Sequence, residues 1–79
     1  MRVKYRKGLN EDTYQIEFGN EEFDLYYHKN FPNLNTWSLH RYRPEKSKSF
    51  LRWYDPIFLT KKFGCLKDVK KFIRDRKYL

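Results

Sequence analysis

From residue 2 to about residue 60 the chain is written largely in twos. In "RVKYRK", Val3 and Tyr5 alternate with Arg2, Lys4 and Arg6, the period of a half-buried strand. "GLNED" follows and reads as a turn. The clearest alternation is "TYQIEFGNEEFDLYY". Tyr14, Ile16 and Phe18 fall on one side before Gly19-Asn20, and Phe23, Leu25 and Tyr27 do so after it. Gly-Asn suits a two-residue hairpin loop, because glycine accepts the positive φ that the first central position of a II′ turn needs. That loop sets the register: Phe18 faces Glu21, Ile16 faces Phe23 and Tyr14 faces Leu25. On the other face Gln15 meets Asp24 and Glu17 meets Glu22, a like-charge pair that calls for water or a nearby cation.

"HKNFPNLN" is a connection, broken by Pro32 and its asparagines. "TWSLHRY" resumes the alternation, with Trp37 and Leu39 opposite Ser38, His40 and Tyr42. "RPEKSKS" reads as a loop, "SFLRWY" as a strand that "DP" interrupts, and "IFLTKKF" as a short strand or an approach to the last element. In "SFLRWY" neighbouring side chains take opposite faces; Trp53 with Leu51 is expected in the core, and Tyr54 with Arg52 outside.

From residue 65 to about 77 the period changes to that of a helix. At 100° steps Leu66, Val69, Phe72 and Ile73 share one arc, while Lys67, Lys70, Lys71, Arg74 and Lys77 share another. Gly64 marks the start, and cations late in the helix suit its dipole. The expected fold is therefore α+β, one domain over 1–79. An antiparallel meander of four or five strands, about 2–60, is covered on one face by the amphipathic C-terminal helix. A sheet followed by one helix is similar in architecture to the small arm-type DNA-binding domains of integrases, with no motif shared.

Composition changes this picture in two ways. Seven Phe, seven Tyr and two Trp supply the dense packing that a 79-residue chain needs. Charge is lopsided: residues 1–39 hold 5 Lys/Arg and 6 Asp/Glu, whereas residues 40–79 hold 13 and 4. The balances, −1 and +9, give the net +8, so the excess cations lie in the second half. That asymmetry points to a polyanion or an acidic protein surface as partner. The single cysteine, Cys65, cannot form an internal disulfide, which suits a reducing, cytoplasmic setting. No apolar stretch approaches the roughly 20 residues needed to cross a membrane, and no membrane partner is expected.

Catalytic and metal patterns are absent. The three glycines are isolated, which excludes a phosphate loop. His28, His40 and Cys65 have no zinc-ligand spacing, and both histidines fall at outward strand positions beside Tyr26 and Tyr42. Cys65 reads as a small, half-buried residue near the first helical turn, with no base placed beside it. No cofactor, metal or small-molecule substrate is expected. The remaining signal is basic side chains interleaved with aromatics: Lys67, Lys70, Lys71 and Arg74 on the helix, Arg41 and Arg43 around Tyr42, and Arg52 with Tyr54. Phosphates need Lys and Arg, and unpaired bases need exposed aromatic planes. The first expectation is a small non-enzymatic module binding nucleic acid through its C-terminal half. The alternative is an inhibitor or adaptor of a mobile genetic element, a phage-type accessory protein, docking on an acidic partner through Tyr54 and Arg52. A third is a small ribonuclease-like toxin working through His28, His40, Tyr42 and Arg41.

Overall fold

The computed structural model describes residues 1–28, 37–48, 50–58 and 63–79. Five strands form one antiparallel sheet: β1 (Arg2–Arg6), β2 (Glu11–Phe18), β3 (Glu21–His28), β4 (Trp37–Tyr42) and β5 (Tyr54–Phe58). They lie side by side in chain order, a meander, and a single helix, α1 (Leu66–Arg74), follows. Among the described residues no helix is long and apolar enough to cross a membrane.

The hairpin register is the one that loop length and alternation dictate. Ile16 pairs with Phe23, Tyr14 with Leu25, and Glu17 with Glu22. Gly19 has φ +62°, while Arg76 is the only described non-glycine with positive φ, so the turn has the II′ form. The facing glutamates Glu17 and Glu22 each find a cation of their own. Arg2 lies 3.8 Å from Glu17, and the Arg52 Nη2 donates to Glu22 at 2.7 Å. The turn between β1 and β2 is closed by an acid that alternation placed on the core side. Asp12 is buried, and its Oδ1 accepts from the Gly8 amide at 3.3 Å. A side chain at Gly8 would strike the Glu11 carbonyl oxygen.

One face of the sheet holds the core. Ile16, Phe23, Leu25 and Leu39 join Phe63, Val69, Phe72 and Ile73 in one buried cluster, with Tyr14, Phe18, Trp37, Ile57, Leu66 and Tyr78 partly buried against it. An aromatic row extends this face outward, with Tyr5 to Tyr14 at 5.0 Å, Tyr14 to Trp37 at 6.0 Å and Trp37 to Tyr27 at 4.6 Å. The helix ends at Arg74 rather than near 77 because Arg76 turns left-handed at φ 52°. The Arg76 amide then bonds the Ile73 carbonyl at 3.0 Å and the Lys77 amide that of Phe72 at 3.2 Å, a Schellman closure with arginine where glycine is usual. The Arg76 guanidinium lies over the Phe18 ring, 5.5 Å from its centre. Beyond it Tyr78 packs edge-on against Phe23.

The Tyr78 hydroxyl is buried and has no hydrogen-bond partner among the described residues. An unpaired hydroxyl costs stability that the ring does not need. Tyr78→Phe should therefore leave stability to urea unchanged or raise it by up to about 1 kcal/mol. A loss of that size would show that the hydroxyl is bonded.

Five expectations are corrected. β1 is exposed along its whole length, with Val3 36% and Tyr5 51% accessible, because it is the edge strand and lies at the margin of the core. Trp53 and Leu51 are not core residues but are 47% and 60% exposed. The segment holding them is no continuous strand: a short 3-10 turn at Pro44–Lys46 leads to a tight bridge between Lys48 and Leu51. "DP" does not interrupt a strand; Asp55 and Pro56 lie inside β5, an edge strand where a missing N–H is tolerated. Finally, Cys65 is exposed, in an extended conformation at the helix N-cap. The connection expected over 28–35 lies outside the described residues beyond His28, as do residues 59–62 of "IFLTKKF".

Candidate nucleic-acid interface

The cations singled out in the sequence divide into two kinds. Arg41, Arg43 and Arg52 are engaged within the protein. Arg41 shares the face of Trp37 and Leu39, pairs with Phe23 in register, and grips Glu21 with two bonds of 2.9 and 2.8 Å. Its guanidinium also lies 5.2 Å from the centre of the Tyr78 ring. The Glu21 bond holds Arg41 firmly charged. Arg43 donates to Glu45 and, at 2.9 Å, to Asp55, which also receives Lys46 at 3.3 Å. A bond from the Trp53 indole, with those from the cations, holds the Asp55 carboxyl below its ordinary range.

The helix cations are of the other kind. Lys67, Lys71 and Arg74 are exposed and Lys70 is half-buried, and among the described residues none of the four has an ion-pair partner. They stand on the element whose Val69, Phe72 and Ile73 are buried in the core. The one acid within α1, Asp68, accepts from the Gly64 amide at 3.2 Å. α1 thus offers uncommitted positive charge, which binding to phosphates requires.

The opposite face of the sheet carries a different set of groups. Pairing across β1–β5 places Lys4, Gln15, Asp24, His40 and Pro56 in one row, with Arg6, Thr13, Tyr26 and Ser38 in the next. Arg52 and Tyr54 look out here, as the sequence implied. Arg52 lies 4.1 Å from the Tyr42 ring centre and 5.9 Å from that of Tyr54, and the two rings are 5.3 Å apart. His40 packs edge-on against Tyr26 at 5.3 Å. His28 bridges Glu11 at 3.0 Å and the Ser38 hydroxyl at 3.1 Å. The two histidines therefore share this face, but Arg41 does not, so the quartet His28, His40, Tyr42 and Arg41 is not brought together. Among the described residues no three His, Cys, Asp or Glu side chains gather as metal ligands.

Burial raises the Asp24 carboxyl above its ordinary value, Glu22 adds to this, and His40 and Arg52 oppose it. His40 opposite is lowered by burial, against the pull of Asp24. A raised carboxyl favours the fold fully below its ordinary range and loses that contribution as pH rises through its folded value. Ionised Asp24 should thus weaken the fold at neutral pH. Asp24→Asn is expected to melt higher than the wild type at pH 7, with the gap closing near about pH 3, where the wild-type carboxyl is protonated. A constant gap at both pH values would assign the effect to packing.

The candidate residues consequently form two surfaces. Lys67, Lys70, Lys71 and Arg74 belong to the helix, and Arg52 and Tyr54 to the far side of the sheet, while Arg41 and Arg43 are spent on carboxylates. The feature that sequence reasoning missed is the excursion between β4 and β5, where Phe50, Leu51 and Trp53 are 95%, 60% and 47% exposed. Comparison with protein-family models, with curated proteins and with solved structures finds no match to this chain.

Proposed function

We propose that the protein is a small, non-enzymatic, cytoplasmic module that binds nucleic acid through the outer side of α1. The observation that carries this reading is the set of cations Lys67, Lys70, Lys71 and Arg74 on one element, without ion-pair partners among the described residues, in a chain whose second half holds nine excess positive charges. Such cations meet phosphates, and binding of this kind is largely independent of sequence. Arg41 and Arg43 drop out of the interface, since freeing Arg41 would strip half-buried Glu21 of its two bonds and Arg43 is shared between Glu45 and Asp55.

The test is titration of the purified protein with short oligonucleotides at about 50 and 200 mM salt. Four phosphates neutralised correspond to a slope of about −3 to −4 in log K against log salt. Absence of binding at the lower salt would remove the reading and leave an acidic protein surface as the partner. His28, His40 and Cys65 have no part in this binding.

A further inference from the structure

We propose that the excursion between β4 and β5 is a stacking tip that makes the protein prefer single-stranded nucleic acid to duplex; this rests on the reading of α1 as a phosphate-binding element. The tip is built to hold its shape. The Lys48 and Leu51 backbones exchange hydrogen bonds of 3.0 and 2.7 Å, with Phe50 at the turn between them. The Trp53 amide donates to the Ser47 hydroxyl at 2.9 Å, its carbonyl accepts from Arg43 at 2.9 Å, and its indole N–H donates to Asp55 at 2.5 Å. Trp53 is thus tied on three sides and still 47% exposed, and Phe50 is 95% exposed. A ring held in place and open to water loses little freedom when another flat group covers it.

Bases are such groups only when unpaired, because inside a duplex their faces are already stacked. The charge of the second half favours a polyanion over a neutral apolar cleft. The cations beside the tip are suited to a secondary role. Lys48 has no ion-pair partner among the described residues, while Lys46 and Arg43 are held by Asp55. Phosphate attraction is therefore the task of α1, and the tip adds affinity through ring surface. The tip projects from the end of the sheet against which the C-terminal residues Arg76 and Tyr78 pack. Tyr42 and Tyr54 flank the excursion there, and Arg41 on the adjacent position reaches Tyr78.

The experiment compares a single-stranded oligonucleotide with a duplex of the same length at about 50 mM salt, reading both affinity and tryptophan emission. Wild type should bind the single strand more tightly, with quenching that Trp53→Phe removes. Each stacked base lost to truncation weakens single-strand binding by roughly five-fold to more than a hundred-fold. Phe50→Ser with Trp53→Ser should therefore cost the single strand at least roughly ten-fold, leave duplex affinity and the salt slope unchanged, and preserve the melting temperature. Equal losses on both ligands, or none on the single strand, overturn the proposal while the helix reading stands. If the wild type binds neither oligonucleotide, both readings fall together, and a blue-shifted Trp53 emission on anionic phospholipid vesicles would reassign the tip to a lipid surface.

Discussion

Phe23→Ala should be the most damaging single truncation in the protein, costing about 3–5 kcal/mol. Phe23 is fully buried, faces Ile16 across the β2–β3 hairpin, and meets the Tyr78 ring edge-on at 5.0 Å. Removing the ring loses its transfer energy and leaves a cavity between sheet and chain end that the rigid hairpin cannot close. A domain of this length has on the order of 4–12 kcal/mol in total, so the variant should lose a large share of its stability. Urea denaturation followed by circular dichroism measures the effect. A loss below about 1 kcal/mol would mean that Phe23 is not central to the core.

Reversing Lys70 and Lys71 to glutamate should be the most damaging change for binding. Both carry charge on α1 without an ion-pair partner among the described residues, Lys71 exposed and Lys70 half-buried, so reversal breaks no ion pair of the described fold. Leaving two phosphates without a cation at about 50 mM salt corresponds to roughly a hundred-fold drop in affinity, and the salt slope should flatten by about 2. The weakening should be uniform across sequences, since phosphates carry no sequence information. Thermal melting should be unaffected. Had Tyr54→Ala a larger effect than this double reversal, with little salt dependence, the partner would be a protein held by a few desolvated anchors.

How far the sequence discloses the structure depends on how many constraints fall on each residue. In the β2–β3 hairpin, alternation on both sides and a two-residue loop fix one register, and every pair from Tyr14–Leu25 to Phe18–Glu21 follows. Arg41 is equally readable: counting by twos from Trp37 and Leu39 puts it on the core side, away from Tyr42, and its partner Glu21 lies on the neighbouring strand β3. Grouping it with Tyr42 by proximity in sequence ignores that alternation. "SFLRWY" misleads for a different reason. Its composition is that of a strand, and β-branched or aromatic content says only that a residue fits a half-buried surface. Sixteen aromatic residues are more than the core of a 79-residue chain accommodates, and the sequence does not say which are left outside. Pro56 reads locally as a breaker because its place on an edge strand follows from the whole strand order, not from its neighbours in sequence. The ion pairs that remove Arg43 and Arg52 from the free charge join positions 12 and 30 residues apart, beyond any local reading.

The exposed first strand has a bearing on how the molecule behaves in a crowd of its own kind. β1 offers an open row of backbone groups, the template on which another chain could add a strand. Its side chains Arg2, Lys4 and Arg6 all project to one face, and among the described residues only Arg2 lies near a carboxylate. Two copies meeting edge to edge would bring these cation rows together, at a separation within the roughly 10 Å reach of charge in dilute salt. The strand that contributes least to the core thus carries the charge that opposes addition of a second copy at that edge.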